Sequence, residues 1–463
     1  MTTPLPTIIT IAPPTAMAGV RDTWRVNITG VEAPEGSLLR MQLGGGRDNK
    51  SDWERPQTTD PAGNEYVTAT CSGSARLEVI APPFEEVADI VVDLTVVGAP
   101  LAADDQIEVT IGDTSGGGDG STPQGFSQIG KRFKVSVLDP PEGEEDRKFR
   151  HVGDGLIEIT GAPMDHLRVF APSTVAAGKS FAITVKAEDS HGNVAWNFAG
   201  ELSFAIADRA TEEEQRALLE EDEDEDVLIA EALARDDADE SEPIVGSEVE
   251  EPVSDLASAP EGIVECPVEA GGVLTVEGFK AFSRGLVRVI VTSELSEIRY
   301  VSNPILITRH DEPQLYWGVI HGHTQHSDGI GSAENYYACE RDHNRLDFGA
   351  ISDHDHEYET SDEDWAIIQR VTAEANESGR FVTLLGYEWA KWRRNGDGDR
   401  NVYYDSDDQP MYRSGDDFYP APPDLFEALA DHRAIVIPHH PASTGNHCDY
   451  KDHDPEKERL VEI

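Results

Sequence analysis

Near residue 310 the hydrophobic pattern of this chain changes period, and that change limits what it can fold into. Before it, short alternating stretches recur at 23–28, 76–80, 90–97, 107–111 and 133–137. Turns rich in Gly and Pro separate them, among them Gly44-Gly45-Gly46 and Gly116-Gly117-Gly118. Alternation punctuated in this way is the pattern of half-buried strands in a sandwich. After residue 310, candidate strands alternate with candidate helices. Residues 317–320 precede a helix opening near Ser332, and 348–351 precede a helix that starts at Ser361-x-x-Asp364, a capping-box signature. In that helix Trp365, Ile368, Val371 and Ala375 fall on one face. Residues 381–385 form a third strand, Pro423-Asp424 opens a short helix with Leu425, Phe426 and Leu429, and 434–437 form another strand. A repeating strand-helix order predicts a parallel sheet.

Each of these later strands ends in chemistry. Gly-Val-Ile-His321-Gly-His323-Thr-Gln-His326-Ser-Asp328-Gly ends the first, Asp353-His354-Asp355-His356 the second, Glu388 the third, and Pro438-His439-His440-Pro441 the last. His321 and His323 lie two apart on extended chain, so both side chains leave the same face. Two imidazoles side by side grip one divalent ion, or one ion each with a bridge between them. Asp328 follows on a loop that Gly329 turns back over the site. Of His439 and His440, alternation lets one face the site, and the expected one is His440. For His326, His343 and His432 a structural role is the expectation. Carboxylates mixed with imidazoles suit Mn²⁺, Zn²⁺ or Fe²⁺ rather than Ca²⁺, and a set this rich accommodates two or three ions. Such ions lower the pKa of bound water and polarise a phosphoryl oxygen. Lys391, Arg393, Arg394 and Arg400 follow Glu388 closely; they read equally as a guide for an anionic group and as a solvated loop. Lys391 and Arg394, with Asn401, are the candidate substrate-binding residues, and Asp353 and Arg400 the candidate catalytic ones.

Charge narrows the partners. A formal net charge of −52, with 37 Lys and Arg against 89 Asp and Glu, excludes a broad nucleic-acid-binding surface, because phosphates would be repelled. Residues 211–251 hold 19 acidic groups and 2 arginines, but the acidity persists outside them, and only 10 of the cations are lysine. Such a surface is expected of a halophilic protein in a salt-rich cytoplasm, where screening shortens self-repulsion. Four widely spaced cysteines (Cys71, Cys266, Cys339, Cys448) read as thiols of a reducing compartment. The first residues lack the basic and apolar regions of a signal peptide, and no run of 18 apolar residues exists to span a membrane. The expected location is cytoplasmic.

Two resemblances sharpen the expectation. His166-Leu-Arg-Val-Phe170, the stretch from Ser180 to Ala187, Asp189-Ser-His-Gly-Asn193 and the late strands 287–292 and 305–308 resemble bacterial immunoglobulin-like modules. His321-Gly-His323-x-x-x-Ser327-Asp328-Gly329, Asp347-Phe-Gly-Ala-Ile-Ser-Asp-His354, Gly386-Tyr-Glu388 and His440-Pro441 resemble the PHP (polymerase and histidinol phosphatase) superfamily, in particular a branch with all-β modules ahead of the barrel. That second resemblance implies a distorted seven-stranded (βα) barrel with a two- or three-metal site that hydrolyses phosphoesters by metal-bound hydroxide. Carried over, His321, His323, Asp328, His354, Glu388 and His440 would be ligands, and Asp353 a supporting group. The chain departs from the family in two places. Asp399 stands where that branch often has His, and no late Asp-x-His follows before Ile463.

The expected architecture is therefore multidomain. A β sandwich (1–150) is joined by a linker at 140–146 to an immunoglobulin-like domain (165–308) with an acidic insert at 211–255, disordered or a solvated helix over 212–234. An incomplete (βα) PHP-type barrel follows at 310–463. The expected function is a metal-dependent phosphoesterase acting on a small anionic substrate. Incompleteness leaves three readings open: a fragment, a barrel finished by a partner chain, or an inactive protein. An amidohydrolase-like metal hydrolase and a non-catalytic β-sandwich scaffold with a degenerate barrel are the rivals.

Overall fold

A computed structural model of the chain describes residues 6–44, 53–140, 148–208, 244–245, 254–294, 296–310, 312–391, 397–415, 418–441, 447–448 and 450–463. The linker at 141–146, nearly all of the acidic insert with its candidate helix, and Arg393 and Arg394 lie outside the described residues. By internal contacts the chain divides into two units. One comprises Met1–Arg168, Lys186–Glu201 and Val264–Leu274; the other comprises Val169–Val185, Leu202–Ile263 and Thr275–Ile463.

The first unit contains the predicted sandwich. One sheet runs in the order Ile8–Ala12, Trp24–Thr29, Ile107–Ile111, Val67–Cys71. The other runs Thr15–Met17, Arg150–Thr160, Gln128–Leu138, Leu38–Gly44, Ile90–Val97, Arg76–Ile80. Alternation decides which side chains meet between them: Trp24, Val26 and Ile28 from one sheet and Phe133, Val135 and Val137 from the other are all buried in one core. Trp53 plugs this core, edge-on to Trp24 at 4.8 Å and to Phe133 at 5.2 Å, with its Nε1 donating to Ser121 Oγ at 3.0 Å. Trp53→Ala is expected to cost about 3–5 kcal/mol. Urea unfolding followed by far-UV circular dichroism measures it, and a cost below about 1 kcal/mol would show that the ring is not a core element.

The sandwich does not stop at 150. Arg150–Thr160 pairs antiparallel with Gln128–Leu138 and parallel with Thr15–Met17, so the domain continues to about residue 160. The hydrophobic alternation of Leu156-Ile157-Glu158-Ile159, with Ile157 and Ile159 buried, is the signal for it. The strands expected of a separate module at 165–308 are shared between the two units, so the structure does not isolate that module. In the second unit Thr174–Ala176, Ile305–Thr308, Gly285–Ser293 and the strand ending at Asp208 are successive neighbours of one sheet, and Ser296–Val301 also pairs with Gly285–Ser293.

The second unit also holds the strand-helix region. Its elements are β1 (Gly318–Val319), α1 (Ala333–Ala338), β2 (Phe348–Ala350), α2 (Asp362–Ala375), β3 (Val382–Trp389), β4 (Arg400–Tyr404), α3 (Pro422–Ala428) and β5 (Ala434–Pro438). The sheet order is β1-β2-β3-β4-β5. The capping box of α2 forms as expected: Asp364 N donates to Ser361 Oγ at 3.2 Å and Ser361 N to Asp364 Oδ2 at 3.0 Å. Trp365, Ile368, Val371 and Ala375 are buried on its inner face.

The sheet is mixed rather than all parallel. β1, β2 and β3 run parallel, but β4 is antiparallel to both β3 and β5. Only the ten residues 390–399 join β3 to β4, too few for the crossover of a dozen or more that a parallel neighbour requires. Alternation gives the sheet two unlike faces. Leu385, Tyr387, Trp389, Val402, Tyr404 and Val436 pack with Tyr337, Trp365, Ile368, Leu425 and Phe426 of the helices. The opposite face carries a small cluster of Ala350, Tyr403 and Ile437, and beyond it the polar groups described next. Among the described residues no helix is long and apolar enough to cross a membrane, and no disulfide joins the four cysteines.

Candidate metal centre

Glu388 pairs with Asn401 in the β3–β4 register, and Asn401 pairs with Ile437 of β5. Residues directly opposite share a face, and two steps along a strand return to it. Glu388, Asn401, Ile437 and His439 therefore stand on the sheet face away from the helices. That alternation chooses His439 over the expected His440. His439 is buried and its Nε2 lies 3.2 Å from Glu388 Oε1, whereas His440 is exposed, at φ 59°, in the left-handed region past the strand end.

The other imidazoles arrive from β1 and β2. His321 Nε2 lies 3.4 Å, His323 Nε2 3.2 Å and His354 Nε2 3.7 Å from Glu388 Oε2. Four imidazoles thus point Nε2 at one carboxylate that is 3% exposed. The ring centroids of His321 and His439 are 4.6 Å apart, so the ends of β1 and β5, at opposite edges of the sheet order, come together here. Tyr403 Oη, donating to Ile320 O at 2.5 Å, ties the same two regions.

The loop that carries His321 and His323 is fastened from below. Gly322 N donates to Ser352 Oγ at 3.0 Å and Ser352 N to Gly322 O at 2.9 Å. A Cβ on Gly329 would lie 2.2 Å from His323 O, so only glycine lets the loop close over Thr324. Asp353 holds this turn. Fully buried, it accepts from Thr324 N at 2.7 Å, Thr324 Oγ1 at 2.6 Å and Ser327 Oγ at 2.5 Å. With both oxygens so engaged it is a supporting group and not a catalytic one.

Burial pushes the Glu388 carboxyl up, but the bonds from His321, His323 and His439 outweigh it and hold the group far below the usual carboxylate range. Burial likewise pulls His321 and His323 down. Their bonds to Glu388, and for His321 also to Glu462, more than offset this, so both imidazoles take up protons more readily than usual. Ligand atoms close enough to share a cation are found in His321, Glu388 and His439, in His323, His354 and Glu388, in His354, His356 and Glu359, and in Asp399, His439 and His440.

Several expected roles change. Asp328 sits 3.4 Å from Nδ1 of His323, the nitrogen turned away from Glu388, so it does not join the central set. Arg400 leaves the opposite face of β4 from Asn401. Its guanidinium is 1% exposed and donates to Glu458 Oε1 at 2.7 Å, to Gly398 O at 3.2 Å and to Asp397 O, so it braces the fold and is not catalytic. Lys391 shares that side, its Nζ 5.6 Å from the Trp389 ring centre and 3.1 Å from Ser414 O, and is buried away from any substrate. Arg394 lies outside the described residues. Asn401 remains in place: it is 1% exposed on the Glu388 face, and neither amide atom has a hydrogen-bond partner among the described residues. His326 bonds Asp364 Oδ1 at 2.8 Å and His432 bonds Tyr412 Oη at 2.9 Å, structural roles both. Glu359 and Glu462, which sequence reasoning missed, touch the outer nitrogens of His354 and His321 at 3.2 and 2.8 Å. No local spacing points to Glu462, 141 positions from its partner.

Residues 332–458 match the family described as "Protein of unknown function (DUF3604)". The chain is 26% identical over 466 residues to a protein of Chlamydia muridarum (strain MoPn / Nigg) and 25% identical to one of Chlamydia trachomatis serovar D, both titled "Uncharacterized protein"; each alignment covers 98% of this chain. The chain spans 65% of the length of these relatives. Among solved structures, a non-cellulosomal cohesin from the hyperthermophilic archaeon Archaeoglobus fulgidus matches 34% of this chain and 93% of its own at 11% identity and a TM-score of 0.19. A marsupial T cell receptor matches 64% of this chain and 98% of its own, with a TM-score of 0.14.

Proposed function

We propose that this chain carries the metal-binding part of a hydrolase that cleaves phosphoesters, of the PHP type, on an incomplete (βα) barrel. The observation that carries this reading is the convergence of four imidazoles on Glu388. A carboxylate this buried requires cationic company, and mixed nitrogen and oxygen donors suit Mn²⁺, Zn²⁺ or Fe²⁺. Glu388 Oε1 faces His439 while Oε2 faces His321, His323 and His354, so one carboxylate serves two cation positions. When bound, such ions lower the pKa of water and polarise a phosphoryl oxygen.

The chain's own residues do the rest. Asp353 and the turn at Thr324 hold the two imidazoles of His321 and His323 in register, and the sheet fixes Glu388 and His439. The unpartnered amide of Asn401 is placed to donate to a phosphoryl oxygen, which would satisfy a group otherwise costly to bury. Helices on one sheet face, three parallel strands, and the polar cluster at their C-terminal ends support the barrel type. A small anionic substrate suits a cationic centre in an otherwise acidic protein. The absence of any disulfide supports a cytoplasmic setting.

The test is metal content followed by turnover. Purified protein dialysed against Mn²⁺ or Zn²⁺ is expected to retain about two ions per chain by mass spectrometry and, with Mn²⁺ present, to hydrolyse an aryl phosphate. Protein that retains no transition metal and leaves the aryl phosphate intact would refute the proposal in favour of a binding scaffold.

A further inference from the structure

The nitrogens that face away from Glu388 form a pattern of their own. His321 Nδ1 meets Glu462 at 2.8 Å, His323 Nδ1 meets Asp328 at 3.4 Å, and His354 Nδ1 meets Glu359 Oε2 at 3.2 Å. In three of the four imidazoles an outer carboxylate stands behind the ring while Nε2 points inward. A neutral imidazole carries one N–H and one lone pair. A carboxylate at Nδ1 draws the proton to that nitrogen, leaves the lone pair on Nε2, and makes it a stronger donor to a cation.

Of the three carboxylates, Glu359 is the one most firmly fixed. It lies in the turn between β2 and α2, where Glu359 N and Thr360 N both donate to His356 O, at 2.9 and 2.8 Å. Thr360 Oγ1 donates to His326 O at 2.9 Å, and Arg413 Nη1 donates to Thr360 O at 2.8 Å. Ser361 then caps α2. The turn is braced on both sides, so the carboxylate is held in place before any ligand arrives. The same Oε2 is 3.1 Å from His356 Nδ1.

We propose that Glu359 is a positioning residue for the cation position formed by His323, His354 and Glu388: it fixes His354 in the Nδ1–H form with Nε2 directed at Glu388. This rests on the metal-centre reading above. The trio His354, His356 and Glu359 is compact enough to ligate a cation directly. His354 would then hold cations through both nitrogens and give up its ring proton, an ionisation that the hydrogen-bonded arrangement does not require.

Two measurements on the full chain test it. In Mn²⁺ titrations, Glu359→Ala is expected to weaken one of the two binding events by about 10- to 100-fold and leave the other within a few-fold. Glu359→Gln, whose amide oxygen still accepts from Nδ1–H, should recover most of the loss. In metal-free protein labelled with ¹⁵N-histidine, His354 should report the Nδ1–H tautomer in the wild type and in Glu359→Gln, but lose it in Glu359→Ala. A merely structural role would not move that signature. Two undiminished Mn²⁺ affinities in Glu359→Ala, or an unchanged tautomer, would overturn the proposal. Gln as weak as Ala would also overturn it, in favour of direct ligation. If the wild type took up no Mn²⁺, the hydrolase reading would fail alone, since the tautomer measurement needs no metal.

Discussion

Glu388→Gln is expected to lower Mn²⁺ affinity by more than about 100-fold, beyond the 10- to 100-fold that loss of a merely supporting residue brings. The reason is geometric. Glu388 is the carboxylate in both cation positions that His321, His323, His354 and His439 help to form, so one substitution removes an anionic donor from each. An amide fills the same volume, which leaves packing in place and isolates the charge.

The pH dependence of this site has a definite sign. His321 and His323 bind protons more readily than free imidazole because of Glu388, so protons compete with Mn²⁺ at pH values above the ordinary imidazole range near 6.5. Mn²⁺ affinity should therefore rise with pH through that region. In metal-free protein the linkage runs the other way. A folded-state pKa raised above the unfolded value contributes stability that is fully present below the unfolded pKa and is lost as pH rises through the folded one. Glu388→Gln should flatten that slope. Calorimetric titration and thermal unfolding between pH 5.5 and 8.5 read both effects. A Glu388→Gln protein with wild-type affinity would place the metal elsewhere.

The second large effect concerns Arg400. Its ion pair with Glu458 has side-chain exposures of 1% and 0%, so removing either partner leaves an uncompensated buried charge. Arg400→Ala or Glu458→Ala should each destabilise the protein by about 3–5 kcal/mol, whereas replacing both by Met should recover most of the loss. Urea unfolding measures all three. Mn²⁺ affinity of the folded Met pair should stay within a few-fold of wild type, because the guanidinium faces Trp389 and not Glu388. Single variants that cost less than about 1 kcal/mol would remove the bracing role. A fully folded Met pair without metal binding would return Arg400 to the site.

Much of the fold was legible because burial imposes periodicity. Alternation marked the sandwich strands, and the helical spacing of Trp365, Ile368, Val371 and Ala375 with its Ser361 cap marked α2. β4 was hidden by its own composition. Arg400 and Asn401 read as a substrate-guiding stretch, although Val402-Tyr403-Tyr404 is the β-branched and aromatic run that favours a strand. Missing it also meant missing that the sheet turns antiparallel. The choice between His439 and His440 was available from alternation once Ile437 was placed on the Glu388 face. The partners Glu359 and Glu462 were not, because a carboxylate among so many in this chain carries no signal until its neighbour in space is known.

By itself, the sequence determined the residue types and where along the chain they end a strand: His321 and His323 together, His354 and Glu388, and the His pair after Pro438. Short-range physics suffices for that, since strand period and strand length are local properties. Tertiary structure alone decided which of them meet. It brought β1 and β5 together at their ends, turned Arg400 and Lys391 to the helix side, and set Glu359 and Glu462 behind the imidazoles. Those outcomes depend on sheet register and curvature, which the whole packed unit fixes and no local window of residues encodes.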